Sequence, residues 1–399
     1  MTYQTSTIPK GWKMTTLGEV ADVNNSTIDK NYTFNEIEYI DVASVEERKL
    51  TETQKLKLEN APSRAKRIVV DNSILISTVR PNLKHYCFVK KAKPNLIAST
   101  GFAVVNSKQG KSDPYYLYNL LTTNEYTNYL IKIADSQTST YPAFNPSIIQ
   151  NSKFIFPSFP EQRAIAAVLL SLDDKIELLC EQNKTLEVTA QVIFKEKIVS
   201  KTQEVLPKGW IIGGLSDIAD FLNGIALQKY PAAKGTDSFP AIKIKELRAG
   251  ITDATDRVSK DLPEQYIVHD GDVLFSWSGS LEVVIWQFGD GALNQHLFKV
   301  TSEKYPKWFY YFWLLRHLPN FRAIAANKAT TMGHIQRYHL DKAQVAIPDD
   351  ATIKELNALM EPILNKVILN SSQIKGLTRL RDMILSKLMS GKLRVKSIT

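Results

Sequence analysis

The residues with the clearest chemical use lie in a short polar loop of the first half of the chain, directly after the apolar run 73–77. Arg80, Asn82 and Lys84 stand at alternate positions in this loop. An arginine can make two parallel hydrogen bonds to guanine, an asparagine can do the same to adenine, and a lysine suits a phosphate. We therefore predict that the loop contacts a nucleic acid, with a solvated hairpin turn as the alternative.

Polar side chains also crowd a later segment of each half, and the two segments occupy similar places in their halves. The candidates of the first segment are Gln137, Thr138, Ser139, Tyr141 and Asn145. Those of the second are Lys328, Thr330, Thr331, His334, Gln336 and Arg337. The matching loop of the second half, residues 276–280, offers only serines, among them Ser278, and Trp277. The triplet Asn294, Gln295 and His296 completes the set. Ordinary turns use the same residue types, so nucleic-acid contact at these positions is a hypothesis.

The sequence predicts no catalytic or metal-binding site. It has no GxxxxGK[ST] phosphate loop, and no glycine-rich cofactor loop precedes Asn145. His334 and His339 lie five residues apart and show no metal-binding spacing. Asp173 and Asp174 fall within a long helical pattern, where we predict a solvated face. We expect this chain to bind no cofactor or metal and to catalyse no reaction itself.

Length, charge and cysteine content set the limits of the fold. A chain of 399 residues exceeds one hydrophobic core and favours two or more domains. The net charge of +9 favours a polyanionic partner. Two cysteines cannot form a disulfide framework. No apolar run has membrane-spanning length, and the N-terminus lacks an apolar signal region. We expect a cytoplasmic protein with reduced cysteines.

An internal duplication organises the chain. Residues 8–22, IPKGWKMTTLGEVAD, match residues 206–220, LPKGWIIGGLSDIAD, at seven positions with a constant offset of 198. The offset changes little further along, so both halves are expected to share one fold. Each half is predicted to contain a short helix (17–22; 215–222), short strands (38–42, 67–70, 73–77; 241–244, 273–277, 283–286) and an aromatic core helix (115–121; 308–315).

Each half then ends in a long helix with a heptad seam. Apolar positions recur in steps of four and three from Ile165 to Ile193, and again from Leu356 to Leu388 at an offset of 191. This pattern predicts coiled-coil helices, and the duplication favours their antiparallel pairing. Asn183 and Asn370 interrupt the seams. We predict that they share a layer or adjacent layers and fix the register, with two solvent-facing asparagines as the alternative.

The predicted fold class is therefore α/β (α+β): two tandem globular domains, separated by two long helices that pair as an antiparallel coiled coil. The domains are expected at 1–157 and 204–348, and the helical spacers at 158–203 and 349–399. A helix of about 36 residues is about 54 Å long, a length comparable with turns of DNA. A basic protein with two related heads on such a spacer suggests recognition of two separated DNA half-sites.

Several longer motifs strengthen this interpretation. They are PKGW at the start of each half, NSILISTVRPNL (72–83), ASTGFAVV (98–105), AFNPSIIQNSKFIFPSFPEQRAIAAVLLSLDDKI (143–176), KATTMGHIQRYHLDKAQVAIP (328–348) and LTRLRDMILSKLMSGKLRV (377–395). On these motifs, which span nearly the whole length, the chain resembles the specificity subunit of type I restriction-modification enzymes.

The resemblance implies a division of labour. In that family two target recognition domains each recognise one half of a bipartite DNA site, and the paired helices space them and dock two methyltransferase (M) subunits. Restriction/translocase (R) subunits complete the enzyme, so S-adenosylmethionine, ATP and Mg²⁺ are expected on partner subunits. The second half departs from the pattern, because its long helix begins DDATIKELNAL and its FSWSGSLEVVIW segment has no arginine matching Arg80. The two domains are therefore expected to differ in base recognition.

Two other functions stay open from the sequence: a stand-alone, two-headed DNA-binding regulator, and a structural adaptor without a nucleic-acid role. A docking subunit is expected to keep apolar side chains outside the seam, as at Leu170, Leu178 and Phe194, whereas a lone regulator is not. The adaptor predicts no salt-dependent DNA binding.

Overall fold

The computed structural model describes residues 8–137, 141–202, 205–233, 235–252, 254–327 and 333–395. The chain divides into two compact units. Unit 1 comprises Met1–Asp174 and Arg379–Thr399, and unit 2 comprises Lys175–Thr378. Both long helices cross this division, so each unit combines one globular half with parts of both helices.

The strands of unit 1 form two four-stranded sheets and two smaller ones. They are β1 (Lys13–Thr16), β2 (Ala21–Val23), β3 (Glu36–Ile40), β4 (Val45–Glu46), β5 (Lys49–Leu50), β6 (Gln54–Lys57), β7 (Ala65–Ile68), β8 (Ser73–Ser77), β9 (Tyr86–Val89), β10 (Leu96–Ser99), β11 (Phe102–Ser107) and β12 (Lys153–Phe156). The four-stranded sheets have the orders β6-β3-β10-β7 and β2-β11-β8-β9, while β1 pairs with β12 and β4 with β5.

Unit 2 repeats this topology apart from the small β4-β5 sheet. Its strands are β13 (Ile211–Gly214), β14 (Asp220–Asn223), β15 (Ser238–Ile242), β16 (Arg257–Ser259), β17 (Ile267–Val268), β18 (Val273–Ser276), β19 (Val283–Ile285), β20 (Gly291–Leu293), β21 (Leu297–Thr301) and β22 (Gln344–Ile347). The orders β16-β15-β20-β17 and β14-β21-β18-β19 reproduce those of unit 1 strand for strand, and β13 pairs with β22 as β1 does with β12. The predicted duplication of one mixed fold is confirmed.

The strand that leads to each candidate loop lies in the interior of its sheet. Every residue of β8 (SILIS) and of β18 (VLFS) is buried. Apolar runs buried on both faces need no alternation with polar residues, which explains the uninterrupted sequences. The outer neighbours β9 and β19 pair with them in matching register, Leu75 with Cys87 and Leu274 with Val284.

The helices of the globular halves are α1 (Leu17–Val20), α2 (Pro114–Leu121), α3 (Asn124–Gln137) and α4 (Ser147–Gln150) in unit 1, then α6 (Ile244–Ala249), α7 (Lys307–Asn327) and α8 (Arg337–Lys342) in unit 2. Asp113 caps α2, since its carboxylate accepts hydrogen bonds from the amides of Tyr115 and Tyr116 at 2.9 Å. This satisfies two of the amide groups that a helix start leaves unpaired.

The short helices predicted at 17–22 and 215–222 were too long. In unit 1 one turn, α1, gives way to β2, and in unit 2 a 3₁₀ turn at Leu215–Asp217 gives way to β14. Strand pairing explains the difference: β2 pairs with β11 and β14 with β21. Tertiary pairing of this kind overrides a weak local helix preference.

The two long helices are α5 (Phe159–Phe194), which continues as a π turn at Lys195–Val199, and α9 (Asp350–Met389). They run antiparallel within each unit. In unit 1 Ile165 and Leu169 share a core with Leu388, and Asp173 contacts Arg381. In unit 2 the segments around residues 183 and 190 approach residues 367–371 and 363–367, respectively. None of the described helices is long and apolar enough to span a membrane.

The seam asparagines meet within unit 2. The Asn370 Nδ2 donates a hydrogen bond to Asn183 Oδ1 at 2.9 Å, and the Asn183 Nδ2 donates to Ser371 Oγ at 2.9 Å. The two asparagines therefore share a layer. Asn370 is fully buried and its Oδ1 has no hydrogen-bond partner among the described residues, so the contact leaves one polar atom unsatisfied.

Of the three apolar residues expected to be exposed outside the seam, two pack against the protein's own core. Phe194 is buried, with its ring against Phe312 and Trp313, because the core helix α7 reaches the end of α5. Leu170 packs partly against the core of unit 1. Leu178 is exposed, as expected.

Candidate nucleic-acid interface

In unit 1 the loop after β8 lies against the polar segment that precedes α4. The amide of Arg80 donates to the Pro142 carbonyl at 2.7 Å, and the amide of Phe144 donates to the Thr78 carbonyl at 3.0 Å. An antiparallel bridge between Val79 and Ala143 lies between these two bonds. Two segments more than sixty residues apart in sequence therefore form one surface.

Unit 2 builds the same junction. The amide of Gly279 donates to the Gly333 carbonyl at 2.8 Å, and the amide of Ile335 donates to the Trp277 carbonyl at 2.9 Å. Ser278 and His334 form the bridge. Both pairs of predicted segments are thus brought together by main-chain bonds, independently of the side chains that they carry.

The side chains of the unit 1 junction are exposed and cationic. The Arg80 guanidinium lies 4.5 Å from the ring centroid of Tyr141. Tyr141 is 62% exposed, and Arg80 and Asn82 are exposed as well. A guanidinium stacked over an aromatic ring gains a cation–π attraction, and its N–H groups stay available to donate hydrogen bonds. Lys84 forms an ion pair with Glu47 at 3.1 Å, so its charge is partly neutralised.

The backbone at the centre of each loop is left-handed. Arg80 has a φ of 47° and its counterpart Gly279 a φ of 65°. Glycine adopts this region readily, whereas a residue with a Cβ is strained by about 1–2 kcal/mol. The loop geometry therefore suits glycine, and unit 1 places an arginine there in spite of the strain.

The unit 2 junction is aromatic and more buried. Trp277 Nε1 donates to Asn223 Oδ1 at 2.9 Å, and its ring centroid lies 5.8 Å from that of His296 and 6.4 Å from that of His334. Ser278 is buried, and its hydroxyl is 3.0 Å from His296 Nδ1. The unit presents imidazole and indole edges where unit 1 presents a guanidinium.

Two of the predicted contact residues, Asn294 and Ser278, are buried and support the fold. Asn294 is buried, and its side-chain amide bonds to Gln295 Oε1 and to the amide of His296. Asn294 thus holds a turn, and Ser278 is buried in the bridge with His334. Neither side chain forms surface in this structure. Gln295 and His296 are half-buried.

Most of the remaining described candidates are exposed, and two of them hold hydrogen bonds within the protein. The Asn145 Oδ1 accepts from the Ser147 amide at 2.9 Å, which starts α4. The Arg337 guanidinium donates to the Phe221 carbonyl at 3.0 Å. Gln137 ends α3 and Gln336 precedes α8, both exposed, and His334 is half-buried. The candidates outside the described residues are Thr138, Ser139, Lys328, Thr330 and Thr331.

One prediction about charge was wrong. Asp173 is not a solvated helix residue, because its carboxylate lies between Arg48 Nη2 at 3.2 Å and Arg381 Nη1 at 2.9 Å. Its side chain is only 17% exposed. Asp174 is exposed and pairs with Lys90 at 2.8 Å. The arginines lie 125 and 208 residues away in sequence, so no local pattern could have indicated the network.

Trp277, which the sequence offered as a contact residue beside Ser278, has its ring next to both His296 and His334. Its contact with nucleic acid stays a prediction. Among the described residues, no group of His, Cys, Asp and Glu side chains could hold a metal ion.

Comparison with known proteins agrees with this architecture. The family model of the type I restriction modification DNA specificity domain matches residues 9–188 and again residues 207–379. The chain is 27% identical to the type I restriction enzyme MjaIX specificity subunit of Methanocaldococcus jannaschii, over 98% of this chain and 95% of the relative. It is 22% identical to the HindI specificity subunit of Haemophilus influenzae, over 96% and 99%.

A solved structure shares the fold. The S subunit of a type I restriction-modification system from M. genitalium superposes with a TM-score of 0.61 at 13% identity, over 96% of this chain and 98% of that one. The two family matches coincide with the two halves of the duplication and together cover most of the sequence. The chain therefore belongs to the family of type I restriction modification DNA specificity domains.

Proposed function

We propose that this chain is the non-catalytic specificity subunit of a type I restriction-modification enzyme and recognises a bipartite, gapped DNA site. Each unit recognises one half of the site through the junction between its candidate loop and the segment before α4 or α8. The observation that supports this most is the repeated main-chain junction, Val79 with Ala143 and Ser278 with His334, which presents different side chains on one scaffold. Recognition of two different half-sites requires a shared backbone scaffold that carries different contact residues in each unit.

The proposal assigns the chemistry to partner chains. Two M subunits carry S-adenosylmethionine and methylate adenine, and R subunits carry ATP and Mg²⁺ in the cytoplasm. Exposed apolar side chains on α5 support docking, since Leu178, Val188 and Val192 are each more than half exposed. Apolar residues on one exposed helix face commonly mark a protein interface.

Selection of bound DNA from a random pool tests the proposal. The full chain, mixed with its cognate M subunit, is expected to enrich two short conserved blocks at a fixed separation. Binding is expected to weaken as salt rises, because phosphate contacts release counterions. Enrichment of one uninterrupted block, or equal binding without the M subunit, would favour the stand-alone regulator. Retention of no DNA at low salt would favour the structural adaptor.

A further inference from the structure

Unit 1 fills the space between its sheet and the two long helices with an arginine. Arg48 lies in the turn between β4 and β5, and its amide donates to the Tyr86 carbonyl on β9 at 2.9 Å. Its guanidinium contacts Asp173 on α5 and Asn119 Oδ1 on α2 at 3.0 Å, and lies 5.0 Å from the Tyr118 ring centroid. Arg381 of α9 completes the network. The side chain thus joins the globular domain to both helices.

Unit 2 has apolar residues at the corresponding positions. The helix offset of 191 matches Asp173 with Leu364 and Arg381 with Ala190. The sheet register matches Tyr86 with Val283. The hairpin that carries Arg48 has no counterpart among the described residues, since the chain between β15 and β16 forms α6 instead.

The space that Arg48 occupies in unit 1 is a cavity in unit 2. Its volume is about 190 Å³, and its walls include Ala190, Val283, Tyr311 and Leu364. Glu187, one turn before Ala190 on α5, also lines it. The Glu187 side chain reaches solvent, and its carboxylate has no hydrogen-bond or ion-pair partner among the described residues. The walls of the cavity are therefore mostly apolar, with Gln287 and the free carboxylate of Glu187 as polar lining groups.

We propose that this cavity, the helix–sheet pocket, receives an arginine side chain of the M subunit. The inference rests on the proposed function for the identity of that partner, but the guanidinium preference of the pocket follows from this chain alone. Unit 1 supplies its own arginine to the equivalent space, whereas unit 2 takes one from outside. In both units an arginine would then join the globular half to the long helices. In unit 1 this arginine belongs to the chain itself, and in unit 2 it belongs to the M subunit.

The pocket chemistry fits a guanidinium on an aliphatic stem. The apolar walls cover the methylene groups, while the planar guanidinium donates to the Glu187 carboxylate and stacks on the Tyr311 ring. Burial raises the pKa of Glu187. Burial also raises the pKa of the Tyr311 hydroxyl, and the negative charge of Glu187 adds to that shift. A cation bound beside Glu187 would favour the charged form of its carboxylate.

A small-molecule probe tests the pocket without any partner. n-Butylguanidinium is titrated into the full chain and followed by the methyl NMR signals of Ile363, Leu364 and Val367, with neutral n-butylurea as the matched probe. We expect the guanidinium to bind in the millimolar range and Glu187→Gln to weaken it about fivefold. Glu181→Gln, an exposed carboxylate of the same helix, should leave binding unchanged. Equal affinities of the two probes, or no effect of Glu187→Gln, would overturn the pocket assignment.

Association with the M subunit tests the occupant. Glu187→Gln is expected to raise the Kd of the complex about tenfold, mainly through faster dissociation. Ala190→Leu, which narrows the pocket, should act in the same direction and abolish probe binding. A complex unaffected by Glu187→Gln, in a chain that binds the probe, would overturn the proposed occupant. If the wild-type chain forms no complex at all, the proposed function fails instead, and the probe result stands separately.

Discussion

The candidate interfaces of the two units share a backbone and differ in chemistry. In both, main-chain hydrogen bonds join the loop after a buried central strand to the segment before a short helix. Unit 1 exposes a guanidinium over a tyrosine ring, whereas unit 2 has a glycine at the matching position and a tryptophan–histidine cluster beside it. The fold thus fixes where contact residues lie and leaves their identity free to vary.

The same contrast holds where each domain meets the long helices. Unit 1 uses Arg48, Asp173 and Arg381 there, and unit 2 uses Ala190, Leu364 and a cavity. When one member of a buried ion network is removed, the remaining charges are left buried without a partner, which is strongly destabilising. When an apolar side chain is shortened, the loss of stability grows with the volume of the cavity that is left. The two units should therefore respond differently to single substitutions.

The largest effect is expected from Asp173→Ala. It leaves the Arg48 guanidinium, whose side chain is 18% exposed, without its carboxylate, and leaves Arg381 paired only with the exposed Asp382 at 2.7 Å. We expect unit 1 to lose about 3 kcal/mol of stability, measured as faster hydrogen exchange of its core amides while unit 2 is unchanged. The control is Asp174→Ala, which removes an exposed pair and should cost less than about 1 kcal/mol. Equal effects of the two variants would contradict the assigned network.

Arg80→Gly should separate recognition from stability. The substitution gives unit 1 the residue that unit 2 has, removes the strained left-handed arginine and deletes the guanidinium. We expect unchanged or slightly higher stability, and DNA affinity about tenfold lower at a site with the cognate half for unit 1. Asn72→Gly is the control, because Asn72 also has a positive φ of 63° but lies in the turn before β8. Loss of affinity in both variants would indicate a general backbone effect.

The asparagine layer should show strong coupling in unit 2. Asn183→Leu leaves the buried Nδ2 of Asn370 with only a long contact to Gln182 Oε1 at 3.5 Å, which is expected to cost about 1–2 kcal/mol. The double variant Asn183→Leu/Asn370→Leu should be more stable than either single variant, since both polar groups are then absent. A double-mutant cycle by chemical denaturation measures this coupling. Additive effects would show that the two amides act independently.

The smallest effect is a pH dependence restricted to unit 2. Burial lowers the pKa of His317, whose ring stacks on Trp313. In the unfolded chain the His317 side chain has its ordinary pKa of about 6.5. Below that pH the unfolded chain therefore binds more protons than the folded chain, and stability should fall as the pH drops through that value. Hydrogen exchange between pH 7 and pH 5 is expected to show this loss in wild type and a weaker one in His317→Gln. An identical pH profile of the two proteins would exclude His317 as the cause.

Sequence patterns predicted the duplication, the strand that precedes each loop and the heptad seams, because these depend on local periodicity and repeated motifs. They overestimated the helices after Leu17 and Leu215, where strand pairing decides the structure. They predicted contact residues that the structure places at the surface, Arg80 and Asn82, but also included Asn294 and Ser278, whose side chains are buried. They could not indicate the Asp173 network or the pocket beside Glu187, since both depend on residues brought together only by the fold.

Mapping of methylated adenines tests the central claim most directly. The chain is co-expressed with its cognate M subunit, as wild type and as Arg80→Gly, and every modified site in the host DNA is determined. We predict a motif of two conserved blocks separated by a fixed gap in wild type, and in Arg80→Gly a relaxed sequence requirement in one block only, with the gap unchanged. A single ungapped motif, or relaxation of both blocks together, would contradict recognition of two half-sites by two separate domains.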